Sequence, residues 1–107
     1  MASDLEFIRE CVGEQRIIWT YHSSMRMVNR SIDRSDVLLA SGNFEMVEQY
    51  PAENRLPTCL CMGRDGHGRS FHCVVALDRH DRFVRFVTVY YPDPEQWEPG
   101  FKKRRKA

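Results

Sequence analysis

No lysine occurs before Lys102 in this chain of 107 residues: all three lysines fall in the closing "KKRRK", and every earlier base is an arginine. Removing those five closing bases leaves 11 bases against 15 acids, so a protein of formal charge +1 has a body of −4. Such a body is not a basic globule that holds nucleic acid by its overall field. Affinity of that kind has to come from local placement of charge and from the tail. Arginine without lysine suits bidentate contact with phosphate or carboxylate, and a codon bias would leave the same trace. Long apolar runs are missing too. The longest, Cys73 to Leu77, is far too short to span a bilayer, and "MASDLEFIREC" has acids where a secretory signal has basic and then apolar residues. A cytoplasmic chain without membrane association is expected.

What is present suits one globular domain. Hydrophobic residues make up 42% and charged residues 29%, in a chain long enough to bury one core and too short for two. Four cysteines read as reduced thiols, because Cys59 and Cys61 lie in an apolar, strand-like run where a thiol serves as a small hydrophobe. Helical signals come first. Ser3 to Glu6 is a capping box, and Leu5, Ile8 and Val12 recur at helical spacing before Gly13, predicting a helix over 4–13. "RIIWT" predicts a short strand, Thr20 caps a helix over 21–30, and Asp33 caps another over 34–41. Four strand segments follow, over 44–50, 58–62, 71–77 and 83–91, separated by Pro51, "GRDGHG" and "DRHD". This order predicts an α+β fold with helices packed on one face of a four- to five-stranded, mostly antiparallel sheet. The expected organisation is one domain over 1–99 and a basic, disordered tail over 100–107.

The stretch "WTYHSSMRMVNRSI" carries the first functional signal. On a helix, Tyr21, Met25, Val28 and Ile32 gather on one side, expected to border the core, and His22, Arg26 and Arg30 form a stripe beside them. Like charges four residues apart repel, so something anionic should sit opposite: a carboxylate such as Glu45 or Glu48, or a phosphate. A solvated face with one capping histidine is the plainer alternative. In "SFHCVVAL", alternation puts His72 on the face opposite Phe71, Cys73, Val75 and Leu77. His22 and His72, with pKa values near neutrality, are candidates for a base and an acid. Tyr90 and Tyr91 offer a stacking surface, a further proton donor, or core filling. A zinc site drawn from Cys59, Cys61 and a histidine is a weaker alternative, because the spacing is C-x-C and His72 and Cys73 point to opposite faces. "GRDGHG" leads into a strand, so it reads as a hairpin turn and not a phosphate loop.

"WTYHSSMRMVNRSIDRSDVLLA", "LCMGRDGHGRSFHCVVALD" and "TVYYPDPEQW" together resemble the domain of unknown function family 4258 over about residues 16–97. His22, Arg26, Arg30, His72 and Tyr90 match its polar pattern. The resemblance implies kinship with the RelE, MqsR and BrnT toxins of toxin–antitoxin pairs, hence a ribonuclease-like fold and a cognate antitoxin, in some cases an MqsA-like zinc-finger protein. The activity so implied is a metal-independent endoribonuclease needing no cofactor and acting on RNA, including ribosome-bound mRNA. His22 and His72 would then be base and acid, Tyr90 a further proton donor, and Arg26 and Arg30 phosphate clamps. Lys102, Lys103, Arg104 and Arg105 would add salt-sensitive affinity for RNA. The missing lysines depart from the usual catalytic surface of those toxins, so either arginine and histidine take over or catalysis has been lost. A non-catalytic module that binds protein or RNA is the alternative.

Overall fold

The computed structural model describes residues 2–51 and 55–106, the side chains of Arg26 and Asn29 excepted. Its order is α1 (Asp4–Gly13), β1 (Ile17–Trp19), α2 (Tyr21–Arg30), α3 (Arg34–Ala40), a 3-10 turn at Ser41–Asn43, β2 (Glu45–Tyr50), β3 (Thr58–Arg64), β4 (Ser70–Asp78) and β5 (Phe83–Tyr90). The capping box is in place: Ser3 Oγ accepts from the Glu6 N–H at 3.2 Å, and the Glu6 carboxylate accepts from the Ser3 N–H at 3.3 Å. Asp33 differs from expectation, since it sits at the N-terminus of α3 but makes no side-chain capping bond.

The sheet order is β1-β5-β4-β3-β2, with β1 parallel to β5 and every other pair antiparallel. Helices cover one face. Phe71, Cys73, Val75 and Leu77 of β4 join a core with Phe7, Ile8 and Cys11 of α1, Met27 of α2 and Val37 of α3. Gly63 is required there by space: a Cβ would come within 2.8 Å of Phe71 Cζ and 2.9 Å of Phe44 Cε1. "GRDGHG" is a turn tied by Asp65, whose Oδ1 accepts from the N–H groups of His67 and Arg69, each at 2.9 Å, with Gly68 at φ 77°. Among the described residues, no helix is long and apolar enough to cross a membrane.

Two expectations are corrected. Tyr21 and Val28 are 81% and 74% exposed and Met25 is also exposed, whereas Ser23 and Met27 are buried, so α2 is turned away from the orientation its apolar residues suggest. The cause lies at its first turn. Thr20 Oγ1 accepts from the Ser23 N–H at 3.1 Å and donates to the carbonyls of Phe86 and Val87, at the bulge of β5. That clasp, with the small Ser23 packed beneath, fixes the rotation of the helix. The second correction concerns the tail. Instead of leaving the domain at residue 100, the chain turns back: Trp97 bridges to Arg104, the Glu98 N–H reaches the Lys103 carbonyl at 2.8 Å, and the Arg105 N–H reaches the Gln96 carbonyl at 2.9 Å. Gly100 at φ 92° and Phe101 at φ 59° make the turn. The C-terminal strap lies over the sheet face opposite the helices, where Trp97 is buried.

Candidate nucleic-acid interface

β5 ends at Pro92, which has no N–H to continue the ladder. Its last residue, Tyr90, and the following Tyr91 therefore stand at a rim where the C-terminus of α2 and the strap also arrive. A cleft of about 380 Å³ opens there, lined by Arg30, Tyr90, Tyr91, Asp93, Gln96, Trp97 and Arg104. Arg30 is exposed and, among the described residues, makes no ion pair. Tyr91 is braced from the helix side of the rim. Its hydroxyl donates to Asp65 Oδ2 at 2.7 Å, and the Arg69 guanidinium lies 3.7 Å from its ring centroid. Burial and the Asp65 carboxylate together push the Tyr91 hydroxyl pKa up.

Beneath the cleft lies His72, fully buried. Its Nε2 is 2.7 Å from the Phe101 carbonyl, which can only accept, so Nε2 carries the proton. In the neutral ring Nδ1 is then an acceptor, 3.2 Å from the Tyr90 hydroxyl, which donates to it. Trp97 closes the ring edge-on, at 4.6 Å between centroids. Burial lowers the His72 pKa and keeps the ring neutral, and burial likewise raises that of Tyr90. What results is a Tyr90–His72 pair in which His72 has no free nitrogen and Tyr90 keeps its lone pairs for the cleft.

Arg104 forms the opposite wall. Its Nε and Nη2 donate to Glu48 Oε2 and Oε1 at 2.8 and 2.9 Å, its guanidinium lies 4.7 Å from the Trp97 ring centroid, and Tyr50 also donates to the Glu48 carboxylate. The Arg104 guanidinium holds Glu48 below the usual carboxylate range. Lys102 reaches Glu45 at 3.5 Å. Glu45 and Glu48, which the sequence had allowed to face the α2 stripe, thus pair with the strap, and among the described residues neither pairs with His22 or Arg30. Lys103, Arg105 and Lys106 lie with them along a broad groove on the strap, where Arg105 Nε donates to the Pro94 carbonyl at 2.7 Å.

The expected site residues are therefore only partly brought together. Arg30, Tyr90, Arg104 and the buried His72 converge. His22 does not join them: it is exposed in the first turn of α2, is not among the cleft-lining residues, and belongs to the helix face of the sheet while His72 belongs to the other. The Arg26 side chain lies outside the described residues. Cys59 and Cys61 sit with their sulfurs 3.6 Å apart in the helix-side core, with Cys73 opposite Cys61 across the strands. Contact with Cys61 and burial push the Cys59 thiol up. Among the described residues, no three His, Cys, Asp or Glu side chains are grouped to hold a metal ion. Trp97 and Asp65 escaped sequence reasoning, and Glu48, expected opposite the α2 stripe, pairs with Arg104 instead. A tryptophan two residues past "PDPE" was the one available signal, since a large ring in a polar segment needs something to cover.

The family model described as "Domain of unknown function (DUF4258)" matches residues 19–91, and the chain belongs to that family. Compared with curated proteins and with solved structures, it finds no match.

Proposed function

We propose that this DUF4258 protein binds single-stranded RNA across the cleft between Arg30 and Arg104. One observation carries the reading: Arg30 and Arg104 line a single cleft at the end of β5 together with the aromatic residues Tyr90, Tyr91 and Trp97. Alternating cations and stacking faces is what a flexible, negatively charged strand of bases requires, because every base has a π-face and every linkage a phosphate. Arg30, without a carboxylate partner among the described residues, is the cation ready to take a phosphate. Lys103, Arg105 and Lys106 extend the path along the strap. A labelled single-stranded RNA followed by fluorescence anisotropy tests this. Arg30→Ala should weaken binding about fivefold or more and flatten the salt slope by about 0.7, the share of one phosphate contact on a single strand. Equal binding by wild type and Arg30→Ala would remove the cleft from the interaction.

A second reading, metal-independent endoribonuclease, is favoured by the hydrogen bond from Tyr90 to His72 Nδ1. In it Tyr90 takes the proton of a ribose 2′-hydroxyl as its own passes to Nδ1, the 2′-oxygen attacks phosphorus, and the 5′-oxygen leaves with a proton from water. Arg30 would stabilise the charge on the phosphoryl oxygens. The depressed His72 pKa makes this relay a weak base, so slow turnover is expected. RNA cleavage that persists in EDTA and is lost in Tyr90→Phe would favour it; binding without cleavage would leave a non-catalytic module. The toxin-like resemblance adds a cognate antitoxin as partner, checked by whether an adjacent reading frame encodes a small zinc-finger protein.

A further inference from the structure

We infer that the Arg104 guanidinium is a phosphate subsite of the RNA path, closed in the free protein by Glu48, whose carboxylate occupies the place of a phosphodiester. The inference rests on the RNA reading above. Arg104 lines the cleft beside Arg30 and Trp97, and it also lines the broad groove of about 730 Å³ shared with Lys102, Lys103 and Lys106. A strand passing from one to the other crosses this side chain.

Its fork is set for the task. Two parallel bonds, Nε to Oε2 and Nη2 to Oε1, are the arrangement a guanidinium makes to phosphate as readily as to carboxylate. Trp97 supports the cation from one side, so its position does not depend on Glu48 alone. Glu48 in turn keeps a hydrogen bond from Tyr50 when Arg104 leaves it, and its side chain is 27% exposed, enough for water to replace the fork. Glu45 provides the contrast, since among the described residues its carboxylate pairs with Lys102 at 3.5 Å and occupies no fork. While Glu48 is paired, Arg104 adds no net charge to the path; once a phosphate displaces it, the path gains one cation.

Removal of the Glu48 charge therefore strengthens RNA binding. With a short fluorescein-labelled single-stranded RNA, Glu48→Gln should bind roughly threefold to tenfold tighter than wild type, because no carboxylate has to be displaced from the fork. Glu45→Gln should change affinity by less than about twofold, and Glu48→Gln combined with Arg104→Ala should lose the gain. Circular dichroism checks the fold, and Glu48→Thr, which suits an edge strand, serves if the glutamine variant does not fold. Wild-type binding with no tightening in the Glu48 variants overturns the inference and leaves the RNA reading standing. Equal tightening in the Glu45 and Glu48 variants also overturns it, because repulsion alone would then account for the effect. No binding by any variant overturns both.

Discussion

His72 owes its tautomer to a backbone carbonyl, and that single bond redistributes the chemistry of the site. Phe101 fixes the proton on Nε2, so Nδ1 must accept from Tyr90, and the group that faces the cleft is a phenol and not an imidazole. His72 is thus a positioning residue for Tyr90. Tyr90→Phe, which keeps the ring, should leave RNA affinity within about twofold while abolishing any cleavage, a separation that binding and turnover assays read directly. Gly63 is a residue-scale constraint of another kind. Adding a methyl group at 2.8 Å from Phe71 and 2.9 Å from Phe44 asks two aromatic rings, packed edge to face at 6.1 Å, to move within a filled core. Gly63→Ala should therefore cost about 1–3 kcal/mol, visible as a lower urea midpoint with unchanged slope.

At the scale of elements, local chemistry and tertiary packing divide the work unevenly. Every helix and strand was legible, because the capping box at Ser3, the cap at Thr20 and the stops at Gly13, Pro51 and Pro92 are decided by neighbours in sequence. The rotation of α2 was not legible. Periodicity locates an apolar stripe but not which way it faces, and here the Thr20 clasp on the β5 bulge, a contact spanning 66 residues, turned Ser23 inward and Tyr21, Met25 and Val28 outward. Thr20→Ala should cost about 1–2 kcal/mol, since it removes both the helix cap and the clasp, while Val28→Lys should change stability by no more than about 0.5 kcal/mol. Thermal melts of the two variants check that contrast; a large loss from Val28→Lys would return the apolar stripe to the core. The site was half legible for the same reason. Arg30 and Tyr90 stand out by residue type, whereas their meeting with Arg104 and Trp97 depends on a strap whose "KKRRK" reads in isolation as solvated charge.

For the whole molecule, the strap makes the sheet a two-sided structure: helices cover one face, and on the other a C-terminal segment seals a titratable ring. Sealing His72 ties the closed state to pH. Its folded pKa lies below the ordinary 6.5 because burial disfavours the cation, so the folded state binds fewer protons than the unfolded state once pH falls through that value. The stability this neutral ring contributes is complete above pH 6.5 and is lost as pH falls through the depressed folded value. Glu48, held down by Arg104, loses its contribution in a separate window that begins below its ordinary 4.5. His80 runs the other way, raised by Asp81, but the pair is exposed and contributes little. A melting temperature that drops between pH 7 and pH 5 is therefore assigned to His72 and to the strap above it. His72→Gln, neutral at every pH and still able to donate to the Phe101 carbonyl, should melt lower at pH 7 but lose most of that slope. If wild type and His72→Gln fall in parallel, the ring is not sealed. If only wild type falls, acid opens the strap first, and the Glu98 and Arg105 amides, bonded across it, should lose hydrogen-exchange protection before the amides of β4.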